Sequence, residues 1–289
     1  MAAAAGEQNI IRLDRDFRWP GGKRVAVIFN IAYEAWSDGQ APGIGPMGNV
    51  LKPGFFDTNA HSWATFGAVR GIQRLLDIVD RQGVKASVMT NGVLAERYPA
   101  SIADIVKRGH ELIAHSWGMD VIPAYFNEAD EAKNIERTQQ ALSKAGGGVS
   151  RGWISPRGTG SLATPRLLAE AGFLHHGDCN DDDRPYVTEV AGRRIVGIPL
   201  TMDINDLPFC VRYGRSPGEL IQTFEDTLKA YRERESVPLM LDVTAHTHVF
   251  GRPSGGWVYE AIVERVKRHD DVWICTRMEM AEHVLASVK

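Results

Sequence analysis

The sequence predicts an α/β protein whose parallel strands roll into a closed or nearly closed barrel. Three observations carry this. A helical apolar stripe, a glycine and a short apolar strand recur along the chain, which is the pattern of parallel strands joined by crossover helices. About six or seven such units fit between the ends, too many for a small doubly wound sheet and close to the count of a barrel. No Gly-x-Gly-x-x-Gly turn follows a strand, and no phosphate-binding Walker pattern occurs.

The apolar run Val25–Glu34 reads as a first strand that ends in a polar loop. Val69, Ile72, Leu75, Leu76 and Val79 stand at helical spacing, Gly83 can close that helix, and Val84–Thr90 is the next strand. Ile102, Ile105 and Val106 lead through Gly109 to the strand His110–Ala114. Gly152–Pro156 is a further strand segment, and Leu167 and Leu168 precede Gly172 and the strand Phe173–His176. Val190-Ala-Gly-Arg-Arg194 reads as a hairpin turn, followed by Ile195–Leu200. Ser216-Pro-Gly-Glu219 and Thr276-Arg-Met-Glu279 fit capping boxes that start helices. Leu220, Ile221, Phe224 and Leu228 form one later apolar stripe and Val258, Ile262 and Val266 another. The strands Leu239–Thr244 and Val272–Cys275 complete the set. The segment 34–62 is rich in Gly, Pro and aromatic residues, as functional or interfacial loops often are.

With 289 residues, 44% hydrophobic and 24% charged, the chain suits one globular unit, read as a single catalytic domain over 1–289 with a short N-terminal arm at 1–20. The net charge of −3 is spread without a basic stripe, which argues against nucleic acid and an anionic membrane as partners. No apolar run is long enough to span a bilayer, and the N-terminus lacks the basic and apolar regions of a secretory signal. The three cysteines, Cys179, Cys210 and Cys275, are odd in number and far apart, as free thiols of a reducing compartment would be. A cytoplasmic location is the default expectation.

In parallel barrels chemistry gathers at the carboxyl ends of strands. There the sequence places Glu34, Asn91, His115, Ser116, Arg157, Asp178, Asp181–Asp183, Asp203, Asn205, Asp206, His246 and His248. Each has a plainer reading. Glu34 could be a solvated loop acid and His115 a hydrogen-bonded core histidine. Arg157 could pair with the acidic run, which itself reads mainly as a solvated loop or helix cap. Of His246 and His248, which stand among Thr244 and Thr247, one is expected at the barrel mouth and the other packed outward. His110 belongs at the opposite end of its strand, and His175 and His176 read as packing or loop residues.

Several stretches resemble the polysaccharide deacetylase family, in the branch of metal-independent allantoinases and cyclic imide hydrolases. They are Tyr33-Glu34, Gly109-His-Glu-Leu-Ile-Ala-His-Ser-Trp117, Gly152-Trp-Ile-Ser-Pro-Arg157, Asp178 with Asp181-Asp-Asp-Arg-Pro-Tyr186, Pro199-Leu-Thr-Met-Asp-Ile-Asn-Asp206 and Ala245-His-Thr-His-Val-Phe-Gly-Arg-Pro253. The resemblance implies a distorted (β/α) barrel with fewer than eight strands, and a homo-oligomer. It places His115 at the first metal-binding His, His246 at the late-strand His, Arg157 in the third motif and Glu34 at the Tyr-Glu position. The family's Asp pair after the first strand is missing, with Asn30 and Ala32 the nearest matches, and Met119 stands where the second His, four residues after His115, is expected.

These departures disfavour deacetylation and agree with opening of a small cyclic amide, the expected substrate and partner. Glu34 is the expected general base, with its pKa raised by burial near Tyr33 and Trp36 so that acid and base forms coexist near neutrality. His115 and His246 would orient substrate, polarise the carbonyl or return a proton, and Arg157 or backbone N–H groups would hold the oxyanion. Trp36, Trp117 and Trp153 would flank a flat ring, and Asp203, Asn205 and His248 would bind its polar edge. No cofactor is expected. The alternatives are a zinc hydrolase with Glu34, His115 and His246 as ligands, a deacetylase of N-acetyl sugars, and an inactive binding module.

Overall fold

The computed structural model of the chain describes residues 8–48 and 50–288. The first seven residues of the predicted arm lie outside them. The strands are β1 (Asn9–Arg12), β2 (Val25–Tyr33), β3 (Ser87–Thr90), β4 (Glu111–Ala114), β5 (Gly152–Trp153), β6 (His175–His176), β7 (Tyr186–Val190), β8 (Arg193–Gly197), β9 (Leu239–His246) and β10 (Val272–Cys275). Parallel ladders join β9, β2, β3, β4, β5, β6 and β8 in that spatial order. Between β8 and β9 no ladder forms among the described residues; the segment after β8 meets β9 through a parallel bridge of Asn205 with Thr244 and the Asp242 N–H donating to Thr201 Oγ1. The wall is thus a distorted barrel of fewer than eight strands, incompletely closed.

β10 pairs with the first half of β2, Val25–Ile28, while β3 takes the second half from Asn30. The predicted hairpin is β7–β8, turning at Ala191 (φ 51°) and Gly192 (φ 70°), both left-handed as a tight hairpin turn requires. β1, within the expected N-terminal arm, adds antiparallel to β7.

The helices are α1 (Thr58–Phe66), α2 (Ile72–Arg81), α3 (Gly92–Arg97), α4 (Pro99–Lys107), α5 (Glu128–Gly146), α6 (Thr164–Glu170), α7 (Glu219–Arg234), α8 (Pro253–Val266) and α9 (Arg277–Ser287). The capping box at Thr276 and Glu279 forms in both directions. That at Ser216 does not: only the Ser216 N–H reaches the Glu219 carboxylate, and α7 starts later with Gly218 as its cap.

Strand alternation divides the interior into layers. Odd residues of β2 and β9, such as Val27, Phe29, Ile31, Leu241 and Val243, pack outward on the helices in the main core. Their even neighbours point inward. At the foot, Ala26, Ile28, Met240, Cys275 and Met280 pack with Phe17 and Trp19, which plug the barrel. Above lies a polar network. Arg277 is fully buried, pairs with Asp242, donates to the Ile198 and Pro199 carbonyls, and reaches Asn30. Through Ser87 this network joins Glu111 and His175. A thin apolar shelf follows, made of Ala32, Met89, Ile113 and Ile154 with Leu200 beside them. The next inward positions up the strands form the mouth.

Candidate active site

One pleat above Ala32, the chain leaves β2 at Glu34. One pleat above Ile113 stands His115, and His246 ends β9 opposite Ala32. Three imidazoles therefore converge on one carboxylate. Glu34 Oε1 lies 3.6 Å from His115 Nε2 and 3.4 Å from His246 Nε2, and Oε2 lies 3.9 Å from His248 Nε2. All four side chains are almost shut off from solvent: Glu34 is 5%, His115 3%, His246 7% and His248 0% exposed.

The two mouth histidines are held from behind. His246 Nδ1 is 2.6 Å from Asp206 Oδ1, and Asp206 Oδ2 accepts the N–H groups of His246 (2.7 Å) and Phe250 (3.0 Å). His115 Nδ1 donates to the Ile154 carbonyl at 2.5 Å. Both rings thus turn Nε2 towards Glu34. Asn91 ties the two strand ends together, accepting from Ala35 N–H at 2.9 Å and donating to the His115 carbonyl.

His248 follows differently. The chain turns after β9, and the turn rests on the π-helical segment Gly67–Gly71 between α1 and α2. A Cβ at Gly71 would sit 1.8 Å from the Thr247 carbonyl oxygen and one at Gly251 1.9 Å from it, so only glycine permits this contact. The turn brings His248 back to the mouth, so both histidines of the pair face Glu34, against the expected split. The His248 ring meets the edges of Trp63 (centroids 4.5 Å) and Trp36 (6.0 Å), and neither of its nitrogens has a hydrogen-bond partner.

Burial pushes the Glu34 pKa up, but His246, His115 and His248 outweigh it, and the carboxyl ends well below its usual range. Burial also pulls His246 down, yet Glu34 and Asp206 reverse this and raise it to about 10. The expected half-protonated Glu34 is therefore corrected to an ionised carboxylate beside an imidazolium. Burial dominates at His248 and lowers it to about 4, leaving that ring neutral. Asp178, lifted by burial to about 6 against the pull of its Ser155 contacts, is a second carboxyl near His115.

Several expected site residues stand elsewhere. Trp153 is fully buried on the outward face of β5 against Phe173 and donates to Ser155, because the alternation that turns Ile154 inward turns Trp153 out. Trp117 packs under the Arg137 guanidinium, 3.3 Å from the ring centre, and against Gly92, at the α3–α5 contact. Arg157 is exposed in a left-handed backbone turn (φ 62°), and the acidic run pairs with Arg12 instead. Asp203 is exposed, and Asn205 caps its own loop by accepting from Leu207 N–H. Their neighbour Asp206 is the one that reaches the site. Asn30 and Ala32 lie two and one pleats below Glu34, so Glu34 itself holds the mouth position. Met119 is half-buried, with its N–H on the Ala35 carbonyl. Trp63 is a functional candidate absent from the sequence-derived set, and Asp206 stands in that set without an assigned role.

Beside Glu34 opens a cleft of about 260 Å³ lined by Trp36, His61, Thr65, Arg97 and Tyr98. Among the described residues no group of three or more His, Cys, Asp or Glu has a metal-holding arrangement, and no helix is long and apolar enough to cross a membrane.

Residues 56–175 match the family described as Polysaccharide deacetylase. A peptidoglycan deacetylase of Helicobacter pylori is 23% identical, over 88% of this chain and 96% of its own. Among solved structures, a "probable Polysaccharide deacetylase" from Pseudomonas aeruginosa PAO1 superimposes with a TM-score of 0.83 at 28% identity, covering 92% of both chains. The PuuE allantoinase superimposes with a TM-score of 0.84 at 27% identity, covering 93% of both. The segment match, the relative and the superimposed structures agree that this chain has a polysaccharide deacetylase-like fold.

Proposed function

We propose that this protein hydrolyses a small cyclic amide, an imide or a hydantoin-like ring, by water attack on a ring carbonyl. The observation that carries the reading is the buried Asp206–His246–Glu34 chain, which sets an acid and a base side by side. Glu34 takes a proton from water as the oxygen bonds to the carbonyl carbon. The His246 imidazolium lies where the carbonyl oxygen gains charge, and its Nε2–H passes to the ring nitrogen as the C–N bond breaks. Glu34 then returns the water proton to His246, and the products are one carboxylic acid and one amide or urea nitrogen.

The two transfers assist each other. The imidazolium keeps Glu34 acidic at rest, and its deprotonation removes the charge that depressed the carboxyl pKa. An imide nitrogen leaves as a stabilised species, so the demand on this acid–base pair is smaller than for an acetamido group. Trp36 and Trp63 line the mouth around neutral His248, which can meet a ring N–H or C=O. The similarity to an allantoinase over nearly the whole chain supports a ring amide as substrate.

The test is a panel of succinimide, maleimide, hydantoin, dihydrouracil and allantoin, with and without chelator. Ring opening that survives chelator and is lost in Glu34→Gln is the expected result. Acetate release from N-acetyl sugars with no ring opened would overturn the proposal.

One observation favours a second reading. His115 and His246 each present Nε2 with Nδ1 backed by an acceptor, as metal-bound histidines do. Glu34, His115 and His246 would hold zinc, which would supply Lewis-acid activation of water. This reading stands second because Asn30, Ala32 and Met119 occupy the places of the family's Asp pair and second metal-binding His. Stoichiometric zinc in protein purified without a His-tag would reverse the order.

A further inference from the structure

The two mouth histidines are backed unequally at first sight: His246 by a carboxylate, His115 by a backbone carbonyl. The carbonyl that receives His115 Nδ1–H belongs to the Ile154–Ser155 peptide. The N–H of that same peptide donates to Asp178 Oδ1 at 2.6 Å, and the Ser155 hydroxyl donates to Asp178 Oδ2, also at 2.6 Å. We infer that Asp178 is the positioning carboxylate of His115, acting across one peptide group, so that each mouth histidine has its own acid. The inference rests on His115 belonging to the site and goes beyond the assignment of Glu34 and His246.

The physical argument is short. A carboxylate on the N–H side of an amide draws the N–H proton and drives electron density onto the carbonyl oxygen. That oxygen then accepts more strongly, as hydrogen bonds in series reinforce one another in a low-dielectric interior. The consequence at His115 is a fixed ring, with a proton held on Nδ1 and Nε2 aimed at Glu34.

The surroundings are built for this geometry. A Cβ at Gly160 would stand 2.8 Å from Asp178 Oδ2, so glycine lets the backbone close over the carboxylate. Asp178 N–H donates to His176 Nδ1 at 3.3 Å, and Gly177 N–H donates to the Trp153 carbonyl at 2.9 Å, which registers the Asp178 turn on β5. Trp153 Nε1–H holds the Ser155 hydroxyl oxygen at 2.9 Å, leaving the hydroxyl hydrogen for Asp178.

Asp178→Asn tests it in the full-length protein. The amide can still accept from the Ser155 N–H and place its NH₂ beside Oγ, so shape is kept and charge is removed. The expected result is a kcat loss of about tenfold or more, the size seen for groups that orient a functional histidine from behind, with KM within twofold. ¹⁵N spectra of labelled histidine, assigned with His115→Gln, should show the His115 signal moving from the pure Nδ1–H form to a mixture of tautomers. The spectrum needs no substrate, so it stands even if the ring-opening assay finds none. Ser155→Ala removes the hydroxyl contact but leaves the peptide relay, and should keep the tautomer and most of kcat. The inference fails if Ser155→Ala costs as much as Asp178→Asn, or if the His115 tautomer is unchanged without the carboxylate. Should Asp178→Asn not fold, Asp178→Ala decides it, because the smaller side chain removes the carboxylate and leaves the Ser155 N–H and its backbone in place. It must lose the tautomer that Ser155→Ala keeps.

Discussion

Asp206→Asn is the sharpest test of the acid–base pair. Asp206 is fully buried, and its two oxygens have separate tasks: Oδ1 meets His246 Nδ1 at 2.6 Å, while Oδ2 accepts two backbone N–H groups. In the asparagine variant the amide oxygen must stay with those N–H groups, because the NH₂ cannot accept them. The NH₂ then faces Nδ1 and donates to it. The His246 proton is forced onto Nε2 of a neutral ring, and the imidazolium loses one of the two carboxylates that sustain it. A hydrogen bond to a charged partner contributes about 1.5–3 kcal/mol. At about 1.4 kcal/mol per tenfold, kcat should fall by roughly 10- to 150-fold, with KM little changed because Asp206 is below the mouth. The assay is loss of ring absorbance on the best cyclic substrate, measured from pH 5 to 10, beside a thermal melt that confirms folding. The alkaline limb should also move to lower pH, since His246 now gives up its proton more readily. If Asp206→Asn keeps kcat within twofold and leaves the pH profile in place, His246 is not the proton donor.

Stability should depend on pH through the same pair. Glu34 is depressed from 4.5, so its contribution is present above about pH 4.5 and lost as the pH falls. His246 is raised from 6.5 to about 10, so its contribution is full below pH 6.5 and lost as the pH climbs to about 10. Melting temperature should therefore plateau near pH 4.5–6.5, and the alkaline decline should be reduced in His246→Gln; a slope unchanged in that variant would assign it to other groups. Gly71→Ala, which by helix propensity alone gains about 1 kcal/mol, should instead lower the melting temperature and activity, because its Cβ would meet the Thr247 carbonyl. A stabilised, fully active Gly71→Ala enzyme would show that the turn carrying His248 does not depend on that contact. Arg277→Met should cost about 3–5 kcal/mol by stranding Asp242, and adding Asp242→Leu should recover part of it; chemical denaturation of the two variants compares them.

How far the site was legible depends on whether a residue obeys strand phase. Glu34, His115 and His246 each sit at the end of an apolar strand in phase with inward neighbours, so sequence spacing was enough to collect them. The same rule applied to Gly152, Trp153 and Ile154 would have turned Trp153 outward, but its aromatic character outweighed its phase in the sequence reading. His248 lies beyond the last residue of β9, where alternation no longer governs, and its direction is set by a turn pressed against Gly67, Gly71 and Gly251. Asp203, Asn205 and Asp206 share one loop. Only a three-residue 3₁₀ turn and the bridge at Asn205 decide which side chain reaches His246, and neither leaves a periodic trace. Trp63 lies on α1, which buries only Ala60 and Ala64 and so shows no clear apolar stripe.

The interior layers explain why a buried ion pair can exist at the mouth with another charge network beneath it. Ala32 stands directly below Glu34, and Ile113 below His115, so the shelf offers the mouth no solvating groups. In such surroundings the attraction between Glu34 and His246 is screened less than in water, which is what holds both ionised. The weak point is Thr244, the polar residue one pleat below His246. Its hydroxyl donates to Asp242 at 2.8 Å, one pleat down, and accepts from Asn30 at 3.2 Å, its register partner on β2. Its hydrogen is turned away from the mouth, and the shelf is electrically continuous. Thr244→Val should therefore leave the mouth chemistry intact while unsettling Asn30 and Asp242. Unfolding free energy should fall by about 1–3 kcal/mol, the penalty for buried polar groups left without a partner, with kcat unchanged in the folded fraction. A kcat loss as large as that of Asp206→Asn would mean that the lower network reaches His246 and that the two layers act as one.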